Sequence, residues 1–197
     1  MPQAATLQAL RAKIHALEGG ARVHLERVHT GVSQFDGIVG GLPRPGIVEI
    51  SGNLGSGRTQ LALAIVTARI RKREPVAWVD WCEQLYPYGL SEAELETFLI
   101  LRPPAQQGEW ATEQVLRSGC FPTVIVSDPN RLRRPLRWKL AAEQGHTSLI
   151  LLGRRPNRGL SADVRLSLLN GKIRVVRNRG ERPGGEAVLP DQGLQWG

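Results

Sequence analysis

The residues Gly52-Asn53-Leu54-Gly55-Ser56-Gly57-Arg58-Thr59 have the spacing of a phosphate-binding loop, GxxxxGK[ST], with arginine where the lysine belongs. Glycines let successive backbone N–H groups turn toward a phosphate, and a helix starting behind the loop adds a favourable dipole. In the unaltered loop the lysine reaches the β- and γ-phosphates, and the Ser/Thr hydroxyl holds Mg2+. Arg58 keeps the charge, but its planar fork is longer and wider than an ammonium group. Nucleotide binding is compatible with that swap; efficient transfer chemistry is not expected. Further along, Asp128 closes the apolar run Thr123 to Val126, where an acid would hold Mg2+ through water. The candidate nucleotide-binding set is therefore Gly52, Gly55, Ser56, Gly57, Arg58, Thr59 and Asp128. ATP with Mg2+ is the ligand such a set would take. No catalytic residue is assigned, and no resident cofactor is required.

A second constellation is electrostatic. The 197 residues carry 26 Lys and Arg against 18 Asp and Glu, a net charge of +8. Residues 131–182 hold fourteen basic and three acidic residues, so the basicity belongs to the back third. Arg131, Arg133, Arg134, Arg137 and Lys139 form one run, and Arg154, Arg155 and Arg158 another. Such a patch suits DNA phosphates or an acidic protein surface. It has few aromatics for base stacking, and Trp138 is expected in the core. His15, His24, His29 and His146 show no metal-ligand spacing, and Cys82 and Cys120 have no evident base partner, so no metal site is expected. No apolar run approaches the ~20 residues of a membrane helix, and Met1-Pro2-Gln3-Ala4 opens no signal segment. A reduced, cytoplasmic protein with no membrane partner is the expectation.

The elements that position these groups follow from periodicity. Leu7, Leu10, Ile14 and Leu17 make an amphipathic helix over 5–18, stopped by Gly19-Gly20. Ile47 to Ile50 reads as a strand and 58–73 as a helix, bracketing the glycine loop. Val76–Asp80, Thr123–Asp128 and Ser148–Leu152 read as further strands. Residues 91–101, 109–118 and 132–144 read as helices, with Trp138 and Leu140 available for burial. Val164–Leu168 and Ile173–Val176 flank Asn170-Gly171, a strong hairpin signal. Alternating strands and helices predict an α/β fold, a mainly parallel sheet flanked by helices with an antiparallel edge hairpin. The expected organisation is an N-terminal helix over 1–20, a core over 21–182 and a Gly- and Pro-rich tail over 183–197, poorly ordered at its end.

Gly40-Gly41-Leu42-Pro43-Arg44-Pro45-Gly46-Ile47-Val48-Glu49-Ile50 followed by the loop resembles the entry to the P-loop of the RecA family. Val164-Arg165-Leu166 and Val176-Arg177-Asn178-Arg179 resemble its late core strands. The resemblance spans roughly residues 30–180 and implies a RecA-like P-loop core. It also exposes departures. Cys82 stands where the resemblance places the glutamate that activates water, and Leu152 leads into Gly153-Arg154-Arg155 without the γ-phosphate-sensing glutamine. The connectors 129–147 and 153–163 are short where the DNA-binding loops would lie, and the large C-terminal domain of the family is not expected.

A trimmed core with altered catalytic positions resembles the ImuA family, RecA-like accessory proteins of bacterial SOS mutagenesis cassettes. That resemblance implies a non-catalytic adaptor in translesion DNA synthesis, with RecA, ImuB and an error-prone DnaE-type polymerase complex as partners. The stripe Leu7, Leu10, Ile14 and Leu17 would dock on RecA, and the Arg131, Arg133, Arg134, Arg137, Arg154, Arg155 and Arg158 cluster on DNA or an acidic partner. A nucleotide-dependent, DNA-stimulated ATPase or switch is the alternative, favoured by the glycine spacing and Thr59. A SulA-like cell-division inhibitor is the third reading; the retained glycine loop speaks against it.

Overall fold

The computed structural model describes residues 26–86, 90–129, 132–157, 159–179 and 184–189. The apolar stripe Leu7, Leu10, Ile14 and Leu17, together with Arg131 and Arg158, lies outside the described residues.

The chain enters through a two-stranded antiparallel ribbon, β1 (Glu26–Val28) with β2 (Leu42–Arg44), enclosing the short helix α1 (Ser33–Val39). Asp36 in that helix fixes its approach, its carboxylate accepting from the backbone N–H groups of Thr30 (2.9 Å) and Gly31 (3.0 Å). Then follow β3 (Gly46–Gly52), α2 (Arg58–Ile70), β4 (Val76–Asp80), α3 (Glu92–Leu95), β5 (Phe98–Leu101), a 3-10 turn over Ala105–Gln107 and α4 (Gly108–Arg117). The second half comprises β6 (Thr123–Ser127), α5 (Pro135–Gln144), β7 (Ser148–Gly153), β8 (Val164–Leu169), β9 (Lys172–Asn178) and β10 (Glu186–Val188).

Eight strands form one sheet in the order β10-β9-β8-β3-β7-β6-β4-β5. The six from β8 to β5 are parallel; β9 and β10 continue the sheet antiparallel. This is the expected α/β arrangement. The hairpin turns where it was read, with Asn170 (φ 49°) and Gly171 (φ 73°) both left-handed, the backbone a two-residue type I′ turn needs.

Three readings change. Only Glu92–Leu95 of the stretch 91–101 is helical, held by a capping box between Ser91 and Glu94. The apolar run Phe98–Leu101 pairs with β4 instead, because a buried strand has an open neighbour there. The tail supplies β10, whose Glu186, Ala187 and Val188 pair with Arg174, Ile173 and Lys172. Leu140 points to solvent, 52% exposed, because Trp138, Ala141 and Ala142 already supply the buried face of α5.

The sheet separates two apolar layers. On one face α1 and α2 bring Phe35, Val39, Leu61, Ile65 and Val66 against Val48, Ile50, Ile125 and Ile150. On the other, α4 and α5 bring Leu116, Trp138 and Ala141 against Val79, Val124, Val126 and Leu149. Each fully buried aliphatic side chain contributes about 1.5–3 kcal/mol. These layers fix the carboxyl ends of β3, β7, β6 and β4 in a row along one edge of the sheet, where open α/β sheets place their ligand crevices.

Candidate functional site

The glycine loop joins β3 to α2 as predicted. Gly55 (φ 77°) and Gly57 (φ 92°) adopt left-handed backbone, the conformation that lets consecutive N–H groups converge on an anion. Arg58 is the first residue of α2, so the helix N-terminus opens directly behind the loop. Ser56 is buried, and its hydroxyl has no hydrogen-bond partner among the described residues. Loop, β4 and β6 enclose a cleft of about 320 Å3 whose walls include Gly55, Gly57, Thr59, Trp78, Cys82 and Asp128. Of the sequence-derived nucleotide set, Gly55, Gly57, Arg58, Thr59 and Asp128 therefore face one cavity. Gly52 and Ser56 do not line it and lie at the base of the loop.

The loop's cation does not point into that cavity as a free group. Arg58 is 5% exposed and donates two hydrogen bonds to Asp128, Nη1 to Oδ1 at 2.7 Å and Nη2 to Oδ2 at 2.5 Å. This is the bidentate fork that arginine makes and lysine cannot. Both carboxylate oxygens of Asp128 are thus engaged. Asp128 itself sits at φ 43°, and its N–H donates to the Leu152 carbonyl at 2.9 Å, so its backbone is fixed between β6 and β7. The loop fits a phosphate group. The set does not fit Mg2+, because the acid that would hold it is bound by arginine.

Asp80, at the end of β4, is 1% exposed and structurally committed. It accepts from the Leu85 N–H (2.9 Å) and the Ser127 hydroxyl (3.0 Å), which in turn accepts from Trp78 Nε1 (3.2 Å). Cys82 lines the cleft, and its Sγ donates to the Asp128 carbonyl at 3.6 Å. Burial pushes its thiol up, and the carboxylates of Asp128 and Asp80 push it the same way. A neutral thiol cannot activate water as a glutamate does.

Two features escaped the sequence. Leu189, in the segment read as a loose tail, covers the loop: its N–H donates to the Gly171 carbonyl (2.7 Å), and a Cβ at Gly57 would come within 2.7 Å of its Cδ1. Trp78 faces the cleft. Trp81 turns away to stack edge-on against Trp138, with centroids 6.0 Å apart, and Tyr86 is 66% exposed.

The basic cluster divides in two. Arg154 and Arg155 are exposed beyond the end of β7, Arg154 close enough to act electrostatically on Cys82. Arg133, Arg134 and Arg137 lie at the start of α5, where Arg137 pairs with Glu113 at 2.9 Å. Among the described residues no group of His, Cys, Asp and Glu could hold a metal ion, and no helix is long and apolar enough to cross a membrane.

Comparison with known proteins identifies relatives of the same kind. The chain is 36% identical over 109 residues to protein RecA of Brucella canis, and equally to those of Brucella suis and Brucella melitensis. The matched stretch is 53% of this chain and spans 30% of the length of each RecA. No family model matches. Similarity and sheet topology together make this a RecA-like α/β protein.

Proposed function

We propose that this protein is a non-catalytic RecA-like adaptor in SOS-induced translesion DNA synthesis, binding RecA and the ImuB polymerase homologue beside an error-prone DnaE-type polymerase. The observation that carries the non-catalytic part is the bidentate Arg58–Asp128 pair. It removes the free cation and the free acid that phosphoryl transfer needs, at the two positions where a P-loop enzyme keeps them. Cys82, a thiol with its pKa raised, supplies no base in their stead. A RecA-like framework without that machinery suits a protein that presents surfaces to partners of the RecA pathway. The trimmed core with altered catalytic positions, which resembles the ImuA family, supports the partners named.

A second reading has one observation in its favour. The left-handed glycines and the Ser56 hydroxyl, which has no partner among the described residues, keep the loop compatible with a phosphate, so a nucleotide-dependent switch is the alternative. The test combines binding and turnover. Purified protein is titrated with a fluorescent ATP analogue with and without Mg2+, then assayed for hydrolysis with single-stranded DNA and RecA. Co-purification with RecA and ImuB is measured in parallel. Retention of both partners without turnover is the expected result. DNA-stimulated turnover with Mg2+-dependent binding overturns the adaptor reading.

A further inference from the structure

A groove separate from the nucleotide cleft opens at the start of α5. Arg133 and Arg134 line it from just before the helix, Leu136, Arg137 and Lys139 from the helix itself, and Ser161 from the connector before β8, enclosing about 380 Å3. Leu136 is 66% exposed, and Leu140, one helical turn on, is 52% exposed. Residues four apart on a helix lie on one face, so the two leucines make an apolar strip along the outside of α5.

Of the cations around that strip, Arg137 is paired with Glu113, while Arg133, Arg134 and Lys139 have no side-chain ion pair among the described residues. Glu109 accepts from the backbone N–H groups of Arg133 and Arg134, which anchors their main chain and leaves their side chains free of it. Glu113 is buried and already shared by Arg117 and Arg137, each at 2.9 Å. The side chains of Arg133, Arg134 and Lys139 make no ion pair or hydrogen bond with another described residue. The result is a leucine strip bordered by positive charge at the start of α5, where Glu109 and Glu113 are already engaged; Glu143, one turn beyond Lys139, is the exposed acid at the far end of the strip.

We infer that this groove binds an acidic segment of a protein partner, in which Asp and Glu flank one or two apolar anchor residues. The inference rests on the adaptor reading and names the chemistry its partner presents. Carboxylates meet Arg133, Arg134 and Lys139; an apolar side chain covers Leu136 and reaches toward Leu140. DNA phosphates would satisfy the cations but gain nothing from the leucines, and no aromatic lines the groove for base stacking. The same geometry seen from the partner is a helix or strand with alternating acidic and apolar positions, a recognised mode of peptide docking.

The test uses the full chain and fluorescence anisotropy near physiological salt. The probes are a short labelled peptide of Glu and Asp carrying leucines at helical spacing, the same peptide with serine for leucine, and labelled oligo-dT. The leucine peptide is expected to bind about tenfold tighter than the serine one, the value of one modest apolar burial. Leu136→Ser should erase most of that difference, and Arg133→Glu with Arg134→Glu should weaken both peptides about tenfold or more. All three positions are exposed, and circular dichroism checks that the variants fold. Equal affinity for the two peptides, indifference to Leu136→Ser, or tighter binding of oligo-dT than of the leucine peptide overturns the inference. Co-purification separates the two readings. Variants that lose the peptide yet keep RecA and ImuB refute only the groove's role; a wild type that binds the peptide but neither protein refutes only the adaptor reading.

Discussion

Replacing Asp128 with asparagine tests the central feature of the cleft. Asparagine tolerates the left-handed backbone at φ 43°, so the change removes charge without adding strain. Breaking a buried ion pair from one side costs about 3–5 kcal/mol, because a desolvated charge is left behind. Arg58 is 5% exposed but Asp128 is 22% exposed on the cleft side, and the amide oxygen still accepts one of the two hydrogen bonds. The expected loss is therefore about 2 kcal/mol. For a chain of this size that lowers Tm by roughly 4–8 °C. Arg58→Met should cost less, about 1 kcal/mol, since the orphaned carboxylate can reach water. The double variant should lose less than the sum, with a coupling energy of about 1–2 kcal/mol. Thermal and urea denaturation of the four proteins measure this. Nucleotide titration adds an independent readout. Arg58→Lys frees both cation and acid, so its affinity for an ATP analogue should rise about tenfold over wild type and only with Mg2+. Asp128→Asn loosens the loop without restoring a metal ligand, so any gain there should ignore Mg2+. A Tm for Asp128→Asn within a degree or so of wild type, together with additive variants, would refute the pairing.

Glu49, buried in β3 beside Arg165 at 2.8 Å, has its carboxyl raised from the ordinary 4.5, chiefly by burial. A raised acid stabilises the fold below its unfolded pKa, and that contribution is lost as pH climbs through the folded value. The stability of Glu49→Gln relative to wild type, followed by urea denaturation, should shift in favour of the variant as pH rises above 4.5. Gly145→Ala would drive a methyl into the Leu116 carbonyl where α5 meets α4, a backbone clash expected to cost about 3 kcal/mol and visible as a lowered urea midpoint. Iodoacetamide followed by mass spectrometry should modify exposed Cys120 well before Cys82, whose thiol is held neutral by burial and the nearby carboxylates.

Much of the frame was legible because it is written in local periodicity. Val76–Asp80 is a strand to the residue as read, and the loop, its helix and the Asn170-Gly171 turn stand where spacing put them. What stayed hidden depends on neighbours distant in sequence. Phe98–Leu101 carries a pattern as good for a helix as for a strand, and only the vacant edge of β4 decides it. Leu189 reads as tail because nothing local says that Gly57 lacks a side chain there to be covered. Arg58 and Asp128 were both singled out, yet as separate ligands of a nucleotide and its metal. Their pairing is set by β7 lying between β3 and β6, which no residue near either position encodes.

That pairing changes what the arginine substitution means. A lysine in the loop is a point charge that phosphate or metal-bound acid can share by turn. An arginine beside an aspartate pairs two nitrogens with two oxygens and offsets both charges, so each attracts a ligand less than it would alone. The same cleft then needs no nucleotide to neutralise its charges, and α2 and β6 are tied together through side chains alone. Under the adaptor proposal, a cleft without a nucleotide-dependent cycle holds the outer surfaces in one arrangement, and the basic, leucine-bearing face of α5 is one of those surfaces. If Arg58→Lys restores Mg2+-dependent binding while leaving retention of the proposed partners unchanged, scaffold and site are separable; if it weakens retention, the Arg58–Asp128 pair is itself part of what the proposed partners recognise.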